Sequence, residues 1–157
     1  MSVYVLVKII HILSASVLFG TGMGIAFFML RAHLSGEKQS FISTSRAVVA
    51  ADWLFTTPAV LVQLLTGLWL THQLHFAYSS AWFVSVIGLF ILVGLCWLPV
   101  VWIQLRLSRL AESHHGSPEY QRLMRLWIGL GIPAFLAMLV IFYLMVTKAG
   151  VGITLFN

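Results

Sequence analysis

Lys8 and His11 stand three residues apart inside the apolar opening MSVYVLVKIIHILSASVLFGTGMGIAFFML. Residues three apart are neighbours on a helix. A neutral imidazole ligates haem iron and other transition metals. An ammonium one turn away suits an acidic group on a bound ligand, such as a propionate. The plainer readings are a histidine that hydrogen-bonds a neighbouring helix and a lysine that snorkels to the membrane surface. His72, in the run WLTHQLH, falls near the same level and is the candidate second axial ligand, so the metal pair expected is His11 and His72. On a continued helix His72 points nearly opposite Gln63, so it reaches the interior only where that helix has ended or turned. His75 stands behind it as a further candidate.

A second polar group runs through the next apolar block. Asp52, Thr56, Ala59, Gln63, Thr66 and Gly67 fall within about 100° of one another on a helical wheel. Such a stripe must face the bundle interior, where polar groups find partners. Asp52 is either a proton-relay or ion-pair residue inside the membrane or a charge at the helix end. Gln63 is deeper and is expected to bond across helices. His33, His114 and His115 fall in polar connections and read as solvated. The six methionines form no MxxM or MxM series that would hold Cu(I), and Cys96 is the only cysteine, so neither an internal disulfide nor a thiolate cluster is available. Walker, zincin and dinucleotide motifs are missing.

The elements that position these residues follow from composition. The 157 residues are 61% hydrophobic and 8% charged, whereas a soluble domain carries about a quarter charged residues. The apolar residues lie in four blocks, about 3–30, 47–70, 81–105 and 126–147, each long enough for the roughly 20 residues of a membrane helix. The expectation is an all-α integral membrane four-helix bundle, one transmembrane domain over 1–157. Pro58, Pro99 and Pro133 read as kinks, with Thr56 and Thr57 placed to cover the carbonyl that Pro58 frees. Ser117 and Pro118 read as the capped start of the last helix, which rises to Lys148.

The net charge of +5 is a topology signal and does not point to nucleic acid. Arg31, Lys38, Arg46, Arg106, Arg109, Arg122 and Arg125 lie in or beside the first and third connections, and the second connection has no Lys or Arg. This alternation puts those two connections in the cytoplasm and both termini on the outer, periplasmic side of a bacterial inner membrane. His11, twenty residues before Arg31, then sits near the outer edge of the hydrocarbon. Trp69 and Trp82 flank the outer connection as interfacial aromatics. The first block has no basic start and too long an apolar run for a signal peptide, and reads as a retained helix.

Helix one has two faces. Lys8, His11, Ala15, Leu18 and Gly22 form one, with small residues that leave space for something flat. Ser16, Gly20 and Gly24 form the other, a small-xxx-small series that admits another helix, including a second copy of the chain.

The stretches KIIHILSASVLFGTG, DWLFTTPAVLVQLLTGLWL, LCWLPVVWIQLRL and RLWIGLGIPAFLAMLVIFYLMVTKAG resemble a bacterial domain-of-unknown-function family of four-helix integral membrane proteins. More distantly, Lys8, His11, Thr57, Pro58 and Gly67 are similar to the HemJ-type protoporphyrinogen oxidases, and the chain is similar to the CopD copper-resistance proteins. The HemJ resemblance implies haem b as cofactor with His11 as its ligand, while helices three and four match no HemJ-type substrate residues. The expected function is therefore a haem b protein that transfers electrons or oxidises a membrane-soluble reductant, such as a quinol or a porphyrin-like molecule, with the lipid bilayer as its surroundings. A copper or metal-ion transport component and a non-catalytic assembly subunit are the alternatives.

Overall fold

The computed structural model describes residues 2–147, so Lys148 lies outside the described residues. Helix α1 spans Val3–Ser35, α2 Lys38–Ala51, α3 Thr57–Gln73, α4 Ala81–His114 and α5 Pro118–Thr147. A π-helical turn, Asp52–Thr56, joins α2 to α3, so that Lys38–Gln73 is one continuous helix. The result is four helices long and apolar enough to cross a membrane, in an all-helical chain.

Local chemistry fixes the boundaries. The Ser2 hydroxyl accepts from the Val5 N–H and starts α1. Gly36 ends it at φ 71°, a left-handed conformation that glycine adopts without a Cβ penalty, and its N–H returns to the His33 carbonyl. Ser80 caps α4 through the Phe83 N–H, and Ser117 caps α5 through the Tyr120 N–H with Pro118 at the first helical position. The turn between α3 and α4 includes His75 at φ 52°.

The second membrane helix begins nine residues earlier than the apolar block suggests, at Lys38 and not at 47. Residues 38–46 are polar on one side only. Phe41, Ile42, Ser45 and Val48 recur at helical spacing and are buried, so the segment is amphipathic and lies against the rest of the bundle. With α1 33 residues long, or about 50 Å, the helices exceed the roughly 30 Å of hydrocarbon and project from it at this end.

That end holds the packed core. Met29 of α1, Phe41 of α2, Leu107 of α4, and Tyr120 and Met124 of α5 are almost wholly buried in one cluster. The basic residues gather around it. Arg46 pairs with Glu112 at 2.6 Å and Arg106 with Glu119 at 2.5 Å, both exposed, joining α2 to α4 and α4 to α5. Such exposed pairs add little stability. At the opposite end the helices meet as two pairs, α1 with α3 and α4 with α5. Between these pairs Phe19 of α1 stacks on Phe135 and meets Phe142 edge-on, with centroids 5.5 and 5.4 Å apart. Trp82, beside the second connection, is buried and donates its indole N–H to the Leu144 carbonyl at 2.8 Å, closing α4 onto α5.

Core position has a measurable consequence. Leu107→Ala, at a fully buried site, is expected to cost about 2–5 kcal/mol. Leu95→Ala, on a face left to lipid, should change stability by only about 0.5 kcal/mol. Reversible unfolding in mixed micelles measures both, and equal costs would place the core elsewhere.

Candidate functional site

Below the π turn, α3 presents Gln63, Thr66 and Gly67 to α1, and His11 fits among them. The His11 Nδ1 lies 2.8 Å from the Thr66 hydroxyl oxygen, and Nε2 lies 3.0 Å from the Gln63 amide nitrogen. Thr66 also lies 2.5 Å from the Val62 carbonyl, to which only its hydroxyl hydrogen can point. Thr66 must therefore accept from His11, which puts the ring proton on Nδ1. Nε2 then accepts from the Gln63 amide. The amide oxygen of Gln63 accepts from the Ser14 hydroxyl, which also lies 2.9 Å from the His11 carbonyl. This one proton assignment gives the imidazole and both hydroxyls a partner and leaves one Gln63 amide hydrogen over.

Gly67 makes the close approach possible. A Cβ at this position would stand 3.1 Å from the His11 Cε1. The flat space expected beside His11 is thus taken by α3 itself, because Gln63 and Thr66 need partners and Gly67 lets the imidazole reach them.

The other expected site residues lie apart from this network. Lys8 is exposed, its ammonium 5.9 Å from the Tyr4 ring centroid. His72 is exposed in the last turn of α3, and no hydrogen bond or ring contact joins it to His11; His75 is exposed in the turn that follows. Ser16 and Gly20 are exposed, the Ser16 hydroxyl bonds back to the Ile12 carbonyl, and a Cβ at Gly20 or Gly24 would meet nothing within 4 Å. Among the described residues, no helix packs on the small-residue face at those positions. His33 and His115, read as solvated, instead flank Tyr120, with His33 Nδ1 3.0 Å from its hydroxyl and the His115 ring 4.9 Å from its ring.

Two adjoining spaces open between α3 and α4. The larger, about 530 Å³, is an apolar groove walled by Leu64, Leu68, Tyr78, Phe83, Phe90 and Gly94 among others. The smaller, about 60 Å³, shares Leu64, Leu68, Phe83 and Phe90 with it and extends inward to His11, Gln63 and Thr71. Neither pair of helices closes this gap at the end away from the basic residues.

In this arrangement His11 offers no open ligand position to a haem iron. The Nε2 lone pair that would take the iron is held by Gln63, the space against the ring is about 60 Å³, and no second imidazole stands opposite. Among the described residues no three His, Cys, Asp or Glu side chains converge into a metal site. Cys96 is buried and unpaired.

The sequence wheel places Asp52 and Gln63 on a common face, and the structure separates them. Gln63 turns to α1, whereas Asp52 turns to α4, where Trp97 donates to it at 3.3 Å. The intervening π turn carries one residue more per turn, which rotates what precedes it by about 100°. Its signal in the sequence is the Thr-Thr-Pro run: the Thr57 hydroxyl bonds the Asp52 carbonyl at 2.9 Å just before Pro58, which has no N–H.

Gly67→Val is expected to push the His11 ring off Thr66 and lower stability by about 1–3 kcal/mol. Nitrogen-15 spectra of the histidine ring should show Nδ1 protonated in the wild type and lose that hydrogen-bonded signature in the variant; an unchanged spectrum would contradict the contact.

No curated protein and no solved structure matches the chain. Residues 5–149 match the model of the family described as predicted integral membrane protein (DUF2269), and the chain belongs to that family.

Proposed function

We propose that this membrane protein binds a lipid-soluble small molecule, quinol-like or porphyrin-like, whose polar head meets the His11–Gln63 pair while its apolar part lies in the α3–α4 groove. The observation that carries this reading is the continuity of an apolar groove open to lipid with a small recess ending on His11, Gln63 and Thr71. Sites for small molecules combine apolar walls with a few placed polar groups in this way. Gln63 gives one amide hydrogen to His11 and keeps a second for a ligand oxygen. The His11 Nε2 is the basic atom of the recess, and it becomes free to accept from a ligand hydroxyl when the Gln63 amide turns to the ligand. The basic end faces the cytoplasm of a bacterial inner membrane and the recess lies toward the outer face, on the strength of the positive-inside distribution. Haem b on His11 is the narrower form of this reading. Support for it rests on the motif residues Lys8, His11, Thr57, Pro58 and Gly67, and it requires Gln63 to leave Nε2.

Protein in nanodiscs, titrated with a short-chain quinone or with a porphyrin, should show saturable quenching of tryptophan fluorescence, since Trp82 lines the recess. Gln63→Leu removes one hydrogen bond and is expected to weaken binding about tenfold. Gly94→Leu fills the groove where a Cβ meets nothing, and should abolish saturation. Equal, non-saturating quenching in all three proteins would reduce the effect to partition into lipid and overturn the reading.

Loading with haem distinguishes the narrower form. A bound haem whose Soret band is lost in His11→Ala would establish it. A wild type with no such band after haem loading would exclude it.

A further inference from the structure

The Asp52 carboxyl is 3% exposed and lies at the π turn, six residues or about 9 Å along the helix from Arg46. Its contacts are all with neutral groups. Trp97 donates its indole N–H to Oδ1 at 3.3 Å. Gln104, 1% exposed, has an amide orientation that satisfies both its ends: the nitrogen donates to Asp52 Oδ2 at 2.6 Å and the oxygen accepts from the Trp127 indole at 3.2 Å. The Thr56 hydroxyl, buried in the same turn, has no hydrogen-bond partner.

The charged and titratable side chains of the surrounding elements face elsewhere. Arg46 of α2 is turned to Glu112 of α4, and Arg106 of α4 to Glu119 of α5. His11 of α1 is engaged by Gln63 and Thr66. Among the described residues, no lysine, arginine or histidine is paired with the Asp52 carboxyl.

A carboxylate inside a membrane bundle without a cationic partner must exchange charge with something, because a buried unpaired ion is costly and such residues mark ion or proton sites. A metal cation needs several oxygen ligands. Here the two carboxylate oxygens already accept from N–H donors, and one free hydroxyl remains. A proton needs only one acceptor, and the Thr56 hydroxyl, buried and unpartnered in the same turn, is available to a carboxyl O–H that rotates toward it.

The geometry points to Asp52 as a reversible proton-binding site within the membrane. In one state the carboxylate accepts from Trp97 and Gln104. In the other, a proton from water bonds to a carboxylate oxygen and the new O–H donates to Thr56. The π turn supplies this pair, since it sets Asp52 toward α4 and keeps Thr56 in the same turn, while Gln63 and Thr66 of α3 serve α1.

The chain has four Asp and Glu side chains in all, so the assignment by spectroscopy is direct. Infrared spectra of the protein in nanodiscs should contain a buried carboxyl C=O band that appears as pH falls and is missing in Asp52→Asn. Trp97→Phe removes a donor to the ionised form and should strengthen the band at a given pH, an effect that a purely structural tryptophan would not have. Dicyclohexylcarbodiimide, which adds to protonated carboxyls in membranes, should modify residue 52 at low pH, with excess sodium giving no protection. A folded wild type with no titrating band, or a band equal in Asp52→Asn, would overturn the proposal. Protection by sodium would replace the proton with a metal cation and overturn it equally.

Discussion

In hydrocarbon a polar side chain has no water to turn to, and the helix Lys38–Gln73 carries several, Asp52, Thr56, Gln63 and Thr66 among them. Most of the arrangement follows from where their partners lie. Gln63 and Thr66 hold His11 and Ser14 of α1. Asp52 holds Trp97 and, through the amide, Gln104 of α4. This helix is thus bonded to α1 near one end and to α4 nearer the other, and it joins the two helix pairs into one body. Apolar packing alone would specify this weakly, since lipid tails are as good a neighbour for leucine as another helix is.

The uneven core has the same origin. Near the basic end the helices leave the hydrocarbon, and the ordinary hydrophobic effect applies again. There α2 is amphipathic and the Met29–Phe41–Leu107–Tyr120 cluster excludes water. Farther into the bilayer, α3 spends its polar side-chain contacts on α1 and faces the gap to α4 chiefly with Leu64 and Leu68. The α3–α4 gap is therefore left to lipid or to a lipid-soluble ligand, with the His11 network at its inner limit.

The four membrane helices were legible in the apolar blocks because length and composition suffice for a span. Their extension at the basic end was less so. Residues 38–46 are hidden from a hydropathy window by Lys38, Gln39, Ser40 and Arg46, yet Phe41, Ile42, Ser45 and Val48 carry the helical period. His11 and Gln63 could each be singled out as intramembrane polar residues. Their pairing could not, because it depends on the relative height of α1 and α3 and on the missing side chain at Gly67. His72 was reachable from spacing alone only by supposing the helix had turned. The structure keeps it on α3, exposed in the last turn.

The regular wheel goes furthest astray at the π turn, and there the deviation has physical content. A uniform 100° per residue sets Asp52, Thr56, Gln63 and Thr66 in one stripe facing one neighbour. One helix at that neighbour's position would then have to satisfy a carboxyl, an amide and two hydroxyls. The extra residue in Asp52–Thr56 rephases the stripe, so that a different helix meets each half. Thr57 anchors the π turn, its backbone N–H and its hydroxyl both donating to the Asp52 carbonyl ahead of Pro58. The distortion is therefore what allows one helix to keep two separate polar sites in a membrane, one on an imidazole and one on a carboxyl, without leaving either unpartnered.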